Sequence, residues 1–333
     1  MSTPEAADRH VPVLVDRCTE LLVGACRRVQ EPSTPVIIDA TLGMGGHTHA
    51  LLDAEPRAVV VGIDRDPQAL QMAGQRLQRF GERFRAVQAV YDSIGEIAAG
   101  LGSGEVLAGV FFDLGVSSLQ LDETERGFAY SYDAPLDMRM DSGPDSEDQT
   151  AAQLLAEISE ADLKKVLSQY GEERFSGRIA AAIIRTREVQ PLTTTAQLAS
   201  VIDSAVPAAA KRTGGHPAKR SFQAIRIAVN RELDVLRRAV PAALESVEIG
   251  GAVVVLSYHS LEDRIVKRAL TAVTTSSAPA GLPVELEQHK PSFVPLLRGA
   301  QPPSAEEIAA NPRAASAKLR AAEKIRTMAR STG

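Results

Sequence analysis

The chain has little cysteine, few aromatics and no long apolar run. Cys18 and Cys26 are its only cysteines. They lie eight residues apart on a stretch of helical periodicity, lack the spacing of a zinc site, and read as reduced core thiols. Tryptophan is absent and aromatics make up 4% of the residues, so few rings are on hand to stack against a base. No apolar run reaches the roughly 18 residues of a membrane span. The first residues carry early acids and no apolar segment, so no secretory signal is expected. No internal repeat is visible. These absences point to a cytoplasmic globular protein with no membrane partner. At 333 residues, 44% hydrophobic and 24% charged, it has room for one large or two ordinary domains.

What is present starts with Val36-Ile37-Ile38-Asp39-Ala40-Thr41-Leu42-Gly43-Met44-Gly45-Gly46-His47. An apolar, β-branched run enters an acid and then a glycine-rich turn. A second run, Ala58-Val59-Val60-Val61-Gly62-Ile63-Asp64, ends in acid again, 19 residues after Gly45. Strand, glycine turn, helix, strand and acid form the layout of a nucleoside-binding βαβ unit. Glycines let the backbone approach a ligand, and Asp64 stands where an acid accepts both hydroxyls of an adenosine ribose. A dinucleotide site adds a third glycine, which this turn lacks. Asp39, four residues before Gly43, would repel a pyrophosphate but suits the ammonium and sulfonium of S-adenosylmethionine. The pattern therefore favours that cofactor over NAD, and either over a bare turn. His47 and His49 are two apart at a helix start and face different directions, so no metal site is expected.

The net charge of −5 hides an asymmetry. From Asp113 to Asp162 there are 13 acids against 2 bases, a net of −11. From Lys164 to Arg238 there are 14 bases against 6 acids, a net of +8. A local basic field binds phosphate whatever the total charge. Most single arginines in such a stretch are solvated helix faces.

Strand patterns at 36–42, 58–64, 84–91 and 106–113 alternate with helical ones at 13–29 and 67–80. That rhythm predicts a parallel sheet with helices on both faces. It breaks at Ser117. Helical periodicity then fills 151–157, 160–170, 174–187 and 195–205, and a long amphipathic helix is predicted from 222 to 244. Gly250 to Tyr258 restores the strand pattern, and a last strand is predicted within 315–325, around Ser316-Ala317-Lys318-Leu319-Arg320. The expected fold is a doubly wound, Rossmann-like α/β sheet formed by 1–118 and 221–333. An all-helical domain at 119–220 is inserted after its fourth strand. Insertions at the carboxyl ends of strands stand over the ligand crevice.

Several longer motifs resemble the bacterial 16S ribosomal RNA cytosine-N4 methyltransferases. They are Asp113-Leu114-Gly115-Val116-Ser117-Ser118, Gln120-Leu121-Asp122, Glu125-Arg126-Gly127-Phe128, Pro135-Leu136-Asp137-Met138-Arg139-Met140 and Tyr170-Gly171-Glu172-Glu173-Arg174-Phe175. His216-Pro217-Ala218 with Phe222-Gln223-Ala224, Tyr258-His259-Ser260-Leu261-Glu262-Asp263-Arg264 and Asn311 to Arg320 continue the match, as does the opening His10-Val11-Pro12. The resemblance covers nearly the whole chain. It implies methyl transfer from S-adenosylmethionine to the exocyclic N4 of a decoding-centre cytidine, with the 16S rRNA of the 30S subunit as partner. A homodimer is compatible with it. It also implies cofactor contacts at Gly45, Gly46, His47, Asp64, Tyr91, Asp113 and Gln120. Tyr91 and Tyr258 stand where phenylalanine is common in the family. Ala315 stands where arginine is expected, which removes one candidate RNA contact.

Methyl transfer from a sulfonium is an in-line displacement, in which alignment supplies much of the rate. The cytosine amine is a poor nucleophile because its lone pair conjugates with the ring, so acceptors for its N–H bonds would assist. Asp113, Asp137 and His259 are the catalytic candidates, with Glu262 and Asp263 behind them. Each has a structural alternative. Asp137 could simply hold Arg139, His259 could be a hydrogen-bonded structural residue, and the two acids could be first-turn helix residues. Asp113 could serve the cofactor instead. The target base must leave its stack. Phe128, Tyr130 and Tyr132 are candidate stacking residues, Phe175 reads as core, and Lys211, Arg212, Lys219 and Arg220 are the candidate phosphate contacts. A methyltransferase acting on another RNA, a protein or a small molecule, or an RNA-binding assembly factor, would share the fold.

Overall fold

The computed structural model describes residues 12–141, 143, 146, 148–211, 216–279 and 286–328, with the backbone alone for Ser118, Asp122 and Lys211. The chain divides into two compact units, one of Met1–Gly115 with Leu233–Gly333, the other Val116–Glu232.

The first unit opens with α1 (Val15–Arg28) and then alternates β1 (Thr34–Asp39), α2 (Gly46–Ala54), β2 (Val59–Asp64), α3 (Pro67–Leu77), β3 (Phe84–Gln88), α4 (Ile94–Ala99) and β4 (Glu105–Asp113). After the helical unit it resumes with α12 (Glu232–Ser246), β5 (Ala252–Ser257), α13 (Ser260–Thr274), β6 (Phe293–Pro295), α14 (Ala305–Ala310) and β7 (Lys318–Lys324). The seven strands lie in the order β3-β2-β1-β4-β5-β7-β6. All pairs are parallel except β5 with β7 and β7 with β6. This is the expected doubly wound, Rossmann-like sheet. The strand order reverses between β1 and β4, and the crevice at such a reversal is where these sheets bind ligands.

The central strands are continuous Val/Ile/Phe runs because helices cover both faces. Alternate side chains go to opposite cores. Ile37, Val60, Phe111 and Val254 pack with Leu22, Leu51 and Leu77 from α1, α2 and α3. Val36, Val61, Phe112 and Val255 pack with Leu236, Val240 and Val266 from α12 and α13. Phe111 and Phe112 are among the largest fully buried side chains, and truncating either to alanine should cost about 3–5 kcal/mol.

Two strands end earlier than the sequence pattern, β1 at Asp39 rather than 42 and β3 before 91. β3 stops at Gln88, and Tyr91 opens a short 3₁₀ turn. The last strand runs from Lys318 to Lys324, within the expected 315–325. Its partner β6 is three residues ending in proline, too short to show periodicity and confined to the sheet edge. Buried Lys324 donates to the Glu245 and Val247 carbonyls at 2.8 and 2.7 Å, a cation placed at the C-terminal end of α12.

The second unit holds α5 (Ser118–Asp122), α6 (Ala151–Glu157), α7 (Glu160–Gly171), α8 (Ser176–Val189), α9 (Thr195–Ala205), α10 (Ala208–Lys211) and α11 (Ala218–Asn230). Capping boxes start α5, α6 and α9, each a Ser or Thr paired with a Gln three residues on. Leu155, Leu163, Leu167, Ile179, Ile183, Leu198, Phe222 and Ile225 form its core. α11 belongs to that core, so the unit extends beyond position 220. The single helix expected from 222 to 244 is broken. Arg231 adopts a left-handed conformation, and α12 begins at Glu232. Asn230 stops α11 by donating to the Met138 carbonyl and accepting the Met140 N–H. Arg226 grips Glu232 with two bonds of 2.8 and 3.0 Å across the break. Among the described residues no helix is long and apolar enough to cross a membrane.

Candidate functional site

Three acids, Asp39, Asp64 and Asp113, are the last residues of β1, β2 and β4, so they share the carboxyl edge of the sheet. Asp39 is buried and braces the turn that follows it. Its Oδ2 accepts the Thr48 hydroxyl at 2.6 Å and its Oδ1 the Thr41 N–H at 3.3 Å. Burial pushes its carboxyl up, against the pull of the Thr48 bond. Asp64 accepts the Gly43 N–H at 2.8 Å and the Asp66 N–H at 2.9 Å. Burial lifts it to about 6, partly offset by those two N–H groups.

The turn itself places Gly43 at φ 50° and Gly45 at φ 73°, conformations that tolerate glycine far better than other residues. A Cβ on Gly45 would lie 2.9 Å from Leu77 Cδ1 and 3.4 Å from the Ala73 Cβ. One on Gly46 would lie 2.5 Å from Pro12 Cγ. The expected reason for these glycines was room for a ligand. The structure adds a second one, because the missing side chains also make room for α3 and for Pro12.

His47 follows in the first turn of α2, buried, with its ring centroid 4.6 Å from that of Phe111. Neither ring nitrogen has a hydrogen-bond partner among the described residues. Its Nε2 is 3.5 Å from Asp113 Oδ2. The other Asp113 oxygen accepts the Tyr258 hydroxyl at 2.7 Å, and the Asp113 N–H donates to Thr41 Oγ1 at 2.6 Å. Burial, and then the Asp113 charge, push the Tyr258 phenol far above its usual range, so it stays a donor. Tyr91 is half-buried, its ring edge-on to Phe112 at 5.9 Å.

Among the described residues no lysine or arginine pairs with Asp39, Asp64 or Asp113. An uncompensated row of acids beside an imidazole with open valences suits a ligand that brings positive charge and hydroxyl donors. A model of the MraW methylase family matches residues 7–325. The chain belongs to that family. It is a methyltransferase, and its cofactor is S-adenosylmethionine, whose ammonium and sulfonium fit the acidic edge. It is 56% identical over 326 residues to a protein of Kocuria rhizophila, covering 98% of this chain and 97% of the relative. It is 57% identical over 319 residues to one of Clavibacter michiganensis, covering 96% and 98%. Both relatives are named ribosomal RNA small subunit methyltransferase H. A solved structure described as a putative rRNA methylase from Clostridium thermocellum aligns over 95% of this chain and all of that one. It does so at 13% identity and a TM-score of 0.42, too distant to add to the argument.

In this MraW-family chain the other site candidates are tied to structural partners. His259 caps α13, its Nδ1 accepting the Glu262 N–H at 3.4 Å and its Nε2 lying 3.1 Å from Glu262 Oε1. Glu262 is buried and accepts the Tyr258 N–H at 2.8 Å. Asp263 binds Arg320 with bonds of 2.7 and 3.3 Å and pairs with Lys318. Burial would raise its carboxyl, but Arg320 and Lys318 outweigh that and hold it below its usual value. Together these bonds fasten α13 to β7.

In the helical unit, Asp137 accepts Arg139 Nε and an Arg139 terminal nitrogen, both at 2.8 Å, so its two oxygens hold that side chain. Gln120 is buried, and its Oε1 accepts the Ser117 N–H at 3.0 Å, completing the cap of α5. Phe128 is buried, which removes it as a base-stacking surface. Tyr130 stacks on His216 at 4.5 Å and meets Phe222 edge-on. The Tyr132 hydroxyl donates to the Leu121 carbonyl. Phe175 packs against the core, as expected. Lys219 and Arg220 are exposed in the first turn of α11. Arg212 and the Lys211 side chain lie outside the described residues. The residues the sequence reading missed are Thr41, Thr48 and, as a partner of Asp113, Tyr258. Only a polar group at the end of a buried strand could have flagged the last.

Proposed function

We propose that this protein methylates the exocyclic N4 of a decoding-centre cytidine in 16S rRNA, acting on the 30S subunit in the cytoplasm. The observation that carries the reading is Asp113. It is braced from Thr41 and Tyr258, with its second oxygen turned to His47, at the strand-order reversal of a MraW-family sheet. The names of the relatives supply the substrate class.

S-adenosylmethionine supplies an electrophilic methyl group when bound. Asp64 accepts the ribose hydroxyls, and the Tyr91 ring packs on adenine. The Gly45–Gly46 turn and His47 flank the methionine end. Asp113 holds the cationic end and is the acid best placed to accept an N–H of the cytosine amine. Asp137 and His259, engaged with Arg139 and Glu262, position the chain and are not assigned the amine. Aligning the amine with the methyl group and excluding water supplies much of the rate. Lys219 and Arg220, with Lys211 and Arg212, hold RNA phosphates.

The test is methyl transfer to 30S subunits from a strain lacking the protein, followed by mass spectrometry of 16S rRNA nucleosides. N4-methylcytidine should appear only with active protein. Label incorporated into protein, or into another nucleoside, would overturn the substrate assignment.

A further inference from the structure

Tyr258 is held at both ends. Its backbone N–H is fixed by the buried Glu262 carboxylate, which also accepts the His259 N–H at 3.2 Å. Its ring packs on the sheet core and runs beside Gly115, where a Cβ would come within 3.7 Å. Its hydroxyl reaches Asp113 Oδ1 at 2.7 Å, the short range of charge-assisted bonds. The carboxylate therefore has one oxygen engaged and one oxygen, Oδ2, left toward the His47 imidazole, whose nitrogens have no hydrogen-bond partner among the described residues. Without the phenol only the His47 contact at 3.5 Å would be left, among the described residues, to set which oxygen faces which way, because the terminal torsion of an aspartate is soft.

We propose that Tyr258 is a positioning residue for methyl transfer, its phenol orienting the Asp113 carboxylate so that Oδ2 is the oxygen presented to the substrates. This rests on the reading that Asp113 touches the cofactor or the base. Glu262 and His259 extend the device by fixing the strand end that carries the phenol. The structural alternative is a phenol that merely satisfies a carboxylate and adds stability.

The experiment compares wild type, Tyr258→Phe, Asp113→Ala and the double variant as full-length proteins. Cofactor affinity is measured by calorimetry, kcat and KM on 30S subunits, and the unfolding midpoint beside them. Tyr258→Phe removes one oxygen atom and is expected to fold. It should lower kcat/KM about tenfold, in cofactor affinity or in kcat, by more than any change in stability accounts for. In the Asp113→Ala background the same change should have no further effect, because interacting residues are non-additive. If Asp113→Ala is impaired while Tyr258→Phe is silent, or the two losses simply add, Tyr258 does not act through Asp113. If Asp113→Ala itself leaves affinity and turnover intact, the assignment of Asp113 falls, and the positioning role falls with it.

Discussion

Asp64 accepts the Gly43 N–H at 2.8 Å, joining the last residue of β2 to the glycine turn that follows β1. The acid expected to bind a ribose is therefore also a strut of the turn. Lone pairs remain on it for hydroxyls, and its removal would also loosen the glycine turn.

Asp64→Ala should weaken S-adenosylmethionine binding by at least about 1.5–3 kcal/mol, the range for hydrogen bonds to a charged group. Loss of the Gly43 and Asp66 bonds should add a fall in thermal midpoint without ligand. Calorimetry and thermal unfolding measure the two parts separately. Unchanged affinity in a folded variant would remove Asp64 from the cofactor site.

Affinity should also depend on pH through the same group. Asp64 titrates at about 6 in the folded protein because burial opposes its charge. Only the ionised carboxylate accepts both ribose hydroxyls, so binding should weaken as pH falls from 7.5 through about 6. Stability of the unliganded protein runs the other way. The folded pKa lies above the unfolded value, so the folded state holds the proton more tightly. The Asp64 contribution is then best below the unfolded value and declines as pH rises to about 6, by roughly 3 kcal/mol. The midpoint shift produced by cofactor should therefore shrink in acid. A shift that is flat from pH 5 to 8 would contradict the first statement, and an unliganded stability that does not decline from pH 4 to 6 in wild type relative to Asp64→Asn would contradict the second.

Gly45 yields a prediction that the sequence alone would have stated differently. Read from the motif, Gly45→Val should block the ligand and spare the fold. With the Cβ direction aimed at Leu77 and Ala73 and φ at 73°, even Gly45→Ala should destabilise the unliganded protein by about 1–3 kcal/mol. Thermal unfolding without cofactor decides between them, since a ligand-blocking effect leaves that midpoint unmoved.

These cases show where the sequence was legible. β1, β2, β4 and β5 are continuous buried runs, and the acids at their ends fall where the pattern stops, so Asp39, Asp64 and Asp113 could be found by inspection. The helix break at Arg231 could not. The apolar stripe continues across it, and the bonds that stop α11 come from Met138 and Met140, 92 and 90 positions away. The Tyr258–Asp113 bond spans 145 residues and has no local signature. Asp137 was legible only as two alternatives, because adjacent motif residues do not reveal whether a carboxylate faces a substrate or its own neighbour.

The last prediction concerns the start of α11. Lys219 and Arg220 occupy its first turn, which carries no acid. Cations there oppose the helix dipole at a cost of roughly 0.3–1 kcal/mol each. Arg220 recovers part of that by donating to the Glu172 carbonyl at 3.3 Å, while Lys219 is exposed and pairs with no carboxylate among the described residues. Residues that work against local stability are good candidates for binding phosphate. Replacing both with glutamine should leave the thermal midpoint unchanged or slightly raised. It should also flatten the salt dependence of RNA binding by about 0.7 per lost contact on a single-stranded target. Adding Lys211 and Arg212 to the variant should deepen the loss, and cofactor affinity should stay constant throughout. Binding to 30S subunits or an rRNA fragment across a salt series provides the measurement. A lowered midpoint with an unchanged salt slope would mean that these cations serve the helix, and that phosphate is held elsewhere.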